Sequence, residues 1–301
     1  RNKHHRRNQV SKYFRLFSIR NLLVLVLIAF VFAYFSGSDN LPKHSSIAQI
    51  SINGLITTDQ LRSEKIREMR KSDKIQALIV YFNSPGGTVV GGEQLFHSLD
   101  NFSKEKPLVV VMEEIATSAA YMAALSGSRI FASKGTITGS IGAIWQTAEI
   151  TKLLDKMGIT TEAIKSDQLK ASPSPLEPMT EKSRALIKGA VDDAFQTFLE
   201  IVKTKRGFSE NQIQLFSDGR IFTGNQAIKV GLVDEIGGQE EAVSWLERER
   251  KIDKNLPLER IEIDYPKSFL DVVFGYIYKE NSLPKKVMLE GLLSLWHGGI
   301  H

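Results

Sequence analysis

The sequence contains no cysteine, which excludes a disulfide framework, a thiolate nucleophile and a thiolate metal site. Histidine is almost as scarce where it would count. Of six histidines, His4 and His5 lie in the opening basic stretch, His44 shortly after the first apolar run, and His297 and His301 at the far end of the sequence. Only His97 falls within a segment that reads as folded, on the amphipathic run GGEQLFHSLDNF, where a solvated or structural role is the simpler one. A basic surface stripe is also missing. Residues 1 to 20 hold seven Lys or Arg and no acid, which leaves 32 basic against 34 acidic residues in the rest, a net of −2. A body so nearly neutral excludes a phosphate-binding role, and no nucleic-acid partner is expected.

What is present begins with a long apolar run. Leu22 to Phe35 is fourteen apolar residues without interruption, preceded by the basic head and followed by Ser36-Gly37-Ser38. At 1.5 Å per residue the run covers about 21 Å, so crossing a membrane requires snorkelling by Arg20 and help from Phe17 and Ile19. A cleaved leader would want small residues just after the run, where Tyr34 and Phe35 stand instead. An uncleaved, single-pass anchor is therefore expected, with the basic head in the cytoplasm and everything after Ser38 outside. The expected layout is a basic head at 1–20, a transmembrane anchor at 21–38, a linker at 39–46, an α/β domain at 47–250 and a helical tail at 251–301.

Within the body, β-branched runs alternate with helical periodicity. Strands are predicted at Ile47 to Ile52, Ile75 to Phe82, Leu108 to Met112, Ile130 to Ala132 and Ile137 to Ile144, and helices at Gly91 to Phe102 and, briefly, Ser118 to Leu125. Strand, helix, strand, helix implies βαβ units and a mainly parallel sheet. The second half reads as helical over Glu149 to Met157, Thr180 to Lys205 and Ser209 to Phe216, the last opened by a capping box of Ser209 with Gln212. Asp167 to Pro178, rich in Ser and Pro, is a loop. The tail carries two apolar stretches, FLDVVFGYIY and VMLEGLLSLW, each too short to span a bilayer and suited to packing or subunit contact.

Two places could carry chemistry. Pro85-Gly86-Gly87 follows a buried strand directly, and a turn without Cβ atoms lets backbone amides approach a substrate carbonyl, so Gly86 and Gly87 are candidates for an oxyanion hole. A plain strand-to-helix turn is the alternative. Ser118 sits among small residues at a helix start, where it is either an accessible nucleophile or an N-cap. With histidine excluded, a base would have to be a lysine whose ammonium is desolvated enough to lose its proton near neutrality.

Residues 75–87 (IQALIVYFNSPGG), 115–144 around Ser118 and TGSIGAI, and 218–238 (DGRIFTGNQAIKVGLVDEIGG) together resemble the signal peptide peptidase A family of serine peptidases, over roughly residues 47 to 245. The resemblance implies a ClpP/crotonase-like spiral of βαβ units with a helical extension. It implies Ser118 as nucleophile and Lys170, in the segment IKSDQLK, as general base, rather than Lys165. It also implies oxyanion donation by Gly87, with the amide of Ala119 as second donor, and no metal or organic cofactor. Substrates by the same resemblance are remnant signal peptides in the membrane, cut by a homo-oligomer whose catalytic domain faces the periplasm of a bacterial inner membrane. The sequence departs from the pattern at Ala119-Ala120, where many members have Gly-Gly, and at Asp167-Gln168, where they have Gly-Lys. A non-catalytic membrane scaffold and a crotonase-like acyl-CoA enzyme are the alternatives. The DGR and GLVD motifs are assigned to fold and subunit packing.

Overall fold

In the computed structural model the described residues are 41–263, Tyr265, and the backbone of Leu293–Leu295. The apolar run Leu22 to Phe35 and most of the tail lie outside them. Among the described residues no helix is long and apolar enough to cross a membrane.

The body is a mixed α/β fold. Its first strand, β1 (Ser46–Asn53), leads through helix α1 (Gln60–Lys71) to β2 (Ile75–Ser84), and β3 (Gly86–Thr88) follows after one residue. Helix α2 (Val89–Ser103) returns the chain to β4 (Leu108–Thr117), which ends in the short helix α3 (Ala119–Ala124). Then come β5 (Arg129–Ala132), β6 (Ile137–Gly139), α4 (Thr151–Lys156), the long α5 (Glu181–Arg206) and α6 (Glu210–Ile213). The rest comprises β7 (Ile221–Thr223), α7 (Gly224–Lys229), β8 (Glu235–Ile236), α8 (Gln239–Arg250), β9 (Leu258–Arg260) and β10 (Leu293–Leu295).

The main sheet runs β7-β6-β4-β2-β1-β9, with β5 beside the first half of β4 and β8 beyond β5. Every pairing in it is parallel except β6 with β7. Parallel strands need covered faces. Ile47, Ile79, Tyr81, Val109, Val111 and Phe131 point one way and pack under Ala242, Trp245 and Leu246 of α8. Successive side chains alternate, so Leu78, Val80, Phe82, Leu108, Val110 and Met112 point the other way, and all are buried too. Gly92 of α2 makes room near the site, because a Cβ there would stand 2.9 Å from that of Ala119. Burying one Leu or Phe contributes roughly 1.5–3 kcal/mol, so this double-sided core dominates stability.

The strands and helices predicted between Ile47 and Phe216 all form, with shifted ends. The strand predicted at Leu108 to Met112 runs on to Thr117, and the one predicted to reach Ile144 stops at Gly139. Helices α1 and α8 are not legible in the sequence because charged residues dilute their apolar period, and α7 because its six residues are too few to show one. The helical tail expectation falls mostly on residues outside those described. Among the described tail residues, 258–260 and 293–295 are strand, because each segment finds an open edge to pair with, β1 for the first and β3 for the second, and the others are turn or irregular.

Between Ile141 and Ala194, Ser183 alone is buried. This stretch exposes Ile144, Trp145, Leu153, Met157, Ile159, Ile164, Leu176 and Leu186, with Ile164 at 96%.

Candidate active site

Ser118 lies where β4 turns into α3, with φ 58° and ψ −122°. A non-glycine residue at positive φ is strained and needs surrounding structure to hold it. Here the Ser118 N–H donates to Gly139 O at 2.8 Å, and the Ser118 carbonyl accepts from Met122 N–H at 2.9 Å. The side chain makes no capping bond to the helix. An N-cap would sit in the extended region with its oxygen on a first-turn amide, so the capping alternative fails on both counts. A sharp strand-to-helix turn of this kind presents a serine hydroxyl at the head of a helix. Ser118 is only 1% exposed, and Ala119 and Ala120 beside it are fully buried.

The glycine turn sits beside it because the β2–β4 register slips by two residues, with Phe82 opposite Met112 but Ser84 opposite Ala116. Such a bulge re-aims a strand end. It carries Thr117 to the turn, where its Oγ1 donates to Pro85 O at 3.0 Å. Ser84 Oγ accepts from Gly86 N–H at 3.1 Å, so that amide is already engaged. Gly86 has φ 112°, open to glycine and hardly to anything else. Gly87 is needed for a different reason: a Cβ there would fall 1.8 Å from Ile56 O. Ile56 braces the turn by donating to Gly86 O at 2.8 Å and accepting from Thr88 N–H at 2.9 Å. Ala119 opens α3, whose first-turn amides lack intrahelical acceptors. Gly87 and Ala119 are thus the candidate amides that remain to point at a developing oxyanion.

A second brace comes from the DGR motif. Ser140 N–H donates to Arg220 O at 2.8 Å, and the Phe222 ring covers Gly139, where a Cβ would meet it at 2.7 Å. The motif therefore fixes the turn that in turn fixes Ser118. From there a cleft of about 350 Å³ opens between Ser140–Ile144, Val191, Phe195 and Ser217–Gly219. The GLVD motif acts on the fold. Arg206 makes a two-pronged bond to Asp234, whose Oδ2 also accepts from Ile130 N–H, and Tyr121 of α3 donates to Leu232 O at 3.0 Å. Burial pushes the Tyr121 hydroxyl far up, so it stays a donor.

Lys170 is exposed, in a turn where its N–H donates to Asp167 O at 3.0 Å. None of the ion pairs among the described residues involves it, whereas Lys165 is held by Glu177. His97 is exposed on α2 against the edge of Phe96. Sequence reasoning missed Ile56, Ser84, Thr117 and Gly139, which shape the site through backbone and hydroxyl bonds that no residue spacing announces. Among the described residues no cluster of acidic or histidine side chains could hold a metal ion.

A strained serine at a strand-to-helix turn, set against a glycine turn in a parallel sheet, defines a serine hydrolase. The chain belongs to peptidase family S49, the signal peptide peptidase A family of serine peptidases, and the family model matches residues 100–253. A protein described as a candidate protease in Methanocaldococcus jannaschii is 32% identical over 72% of this chain and 66% of its own length. One so described in Synechocystis is 33% identical over 66% of this chain and 72% of its own. The chloroplastic serine protease SPPA of Arabidopsis thaliana is 29% identical over 70% of this chain, which spans 32% of that protein. Among solved structures, a ClpP1 mutant from Listeria monocytogenes matches with a TM-score of 0.43 and 16% identity, over 64% of this chain and 93% of its own.

Proposed function

We propose that this chain is a membrane-anchored serine endopeptidase that degrades remnant signal peptides through a Ser118/Lys170 dyad. The observation that carries the reading is Ser118 itself, held in a strained turn by Gly139 and set against the Gly86-Gly87 turn through Thr117. In the proposed reaction Ser118 Oγ attacks a peptide carbonyl whose oxygen meets the amides of Gly87 and Ala119. Lys170 takes the hydroxyl proton and passes it to the leaving amine, and water then hydrolyses the ester. Gly86 keeps a conformational role, its amide being engaged by Ser84. The chemistry asks for no metal and no organic cofactor.

An exposed lysine is a poor base until something covers it. The bare apolar surface from Ile144 to Leu186 supports a homo-oligomer in which a neighbouring copy covers this stretch and desolvates Lys170. The α/β domain over 47–250 would be wound as a ClpP/crotonase-type spiral. The basic head and apolar run would anchor it in a bacterial inner membrane with the domain in the periplasm. Labelling by a fluorophosphonate probe tests the core of the reading: it should be lost in Ser118→Ala, and labelling that survives this change would remove Ser118 as nucleophile. An acyl-CoA enzyme or an inert scaffold would not cut a fluorogenic peptide.

A further inference from the structure

Behind the glycine turn lies a buried charge that the proposed reaction does not use. Arg62, in the first turn of α1, is only 8% exposed. Withdrawing a guanidinium from water is costly, and an apolar side chain of that size often serves stability as well. A cation there also faces the positive end of the helix dipole. A side chain kept against both penalties is holding something in place. What it holds is backbone: Nη2 donates to Thr57 O at 2.7 Å. Nε makes no hydrogen bond among the described residues, and the nearby Asp59 charge offsets part of the burial.

Thr57 follows Ile56, which bonds Gly86 O and Thr88 N–H and stands where a Cβ on Gly87 would collide. Ile56 meets Gly87 as an isolated parallel bridge rather than within a ladder, so no run of sheet hydrogen bonds sets its place. Other contacts must. A Cβ on Gly91 of α2 would stand 2.7 Å from Thr57 Cα, so the segment lies tight on that helix. Asp59 N–H donates to Gln94 Oε1 of α2 at 2.8 Å, and Asp59 Oδ1 caps α1 by accepting from Arg62 N–H at 2.9 Å. Arg62 closes this frame at Thr57, one residue from the brace. Resting on the peptidase reading, we propose that Arg62 is a positioning residue for the oxyanion: by holding Thr57 O it fixes Ile56, and through Ile56 the direction of the Gly87 amide. It touches neither substrate nor reacting atoms. An amide aimed at an oxyanion gains its full bond only as charge develops, so a misaimed one weakens the transition state far more than substrate binding.

The test is Arg62→Met in the full chain, a change that keeps the length and removes the donors. On an alanine-rich fluorogenic peptide kcat should fall about tenfold or more while KM stays within about twofold. A peptide aldehyde, whose adduct with Ser118 carries the tetrahedral oxygen, should lose affinity by the factor by which kcat/KM falls. Arg62→Lys, which restores a donor, should recover part of both. A merely structural residue would lower the amount of working enzyme and leave the aldehyde affinity unchanged. That outcome overturns the proposal, as does wild-type kcat in Arg62→Met. Arg62→Gln takes its place if Arg62→Met does not fold, and failure of both to fold would make Arg62 structural and overturn the proposal too. In each of these cases wild type still cuts the peptide and the peptidase reading stands. Wild type that cuts no peptide and takes up no fluorophosphonate overturns that reading itself.

Discussion

Thr117 Oγ1 donates to Pro85 O at 3.0 Å, so the residue before the candidate nucleophile is bonded directly to the turn that carries the candidate oxyanion amide. Both partners are backbone-linked to what they position, and the hydroxyl is fully buried. Thr117→Val keeps the shape and removes the bond. It should lower kcat on a fluorogenic peptide about tenfold or more, with a loss of roughly 1–2 kcal/mol in urea denaturation. Thr117→Ser should restore most of both. Wild-type kcat in Thr117→Val would show that the bond does not set the geometry.

Gly87→Ala tests the approach of Ile56. With a Cβ 1.8 Å from Ile56 O, the turn must move off its brace and carry the amide away from the oxyanion position. Loss of one such donor removes about 100- to 1,000-fold in kcat. Peptide kinetics on protein whose circular dichroism matches wild type would check this, and near-normal turnover would exclude Gly87 as a donor.

The positive φ of Ser118 should be visible as stored strain. Ser118→Gly removes both the hydroxyl and the Cβ clash, so activity should vanish while stability rises by about 1 kcal/mol. Thermal unfolding of Ser118→Gly beside Ser118→Ala separates the terms, because only glycine relieves the backbone. A glycine variant less stable than the alanine one would mean that Ser118 is not strained.

If the base of one site comes from a neighbouring copy, two dead chains should rescue each other. Mixing Ser118→Ala with Lys170→Ala should restore a measurable part of wild-type turnover, since some sites would combine an intact serine with an intact lysine. Normal assembly without rescue would confine the pair to a single chain.

The Asp59 carboxylate gives a pH prediction. Burial pushes its pKa up, but the Arg62 N–H, the Tyr265 hydroxyl and the Arg62 charge pull harder and leave it below the ordinary 3.8. Burial and the same hydrogen bond push Tyr265 up to about 12. A depressed carboxylate stabilises above its unfolded pKa and loses that contribution as pH falls through the folded one. Asp59→Ala, which also removes the cap of α1, should therefore cost about 1 kcal/mol at pH 7. The gap to wild type should close as pH drops below 3.8. A gap that stays constant down to pH 2 would contradict the assignment.

The parallel α/β body is legible in the residues alone, because β-branched runs such as Ile75 to Phe82 can be buried only on both faces. The sequence also marked the Gly86-Gly87 turn, since only glycine tolerates φ 112° at one position and the pressure of Ile56 at the next. It could not separate a capping serine from a nucleophile at position 118, for both follow a strand and open a helix. The fold removes the capping alternative, since Ser118 has φ 58° and its side chain makes no capping bond to the helix. The slipped register of β2 against β4, the Gly139 carbonyl under Ser118 and the Thr117 bond to Pro85 are long-range contacts between segments that carry no shared pattern. The strand at 293–295 is of the same kind. Apolar periodicity there favours a helix, and an unpaired edge at Gly87 draws the segment into a strand instead, because an open backbone edge gains more from a partner than a short helix gains from its own turns.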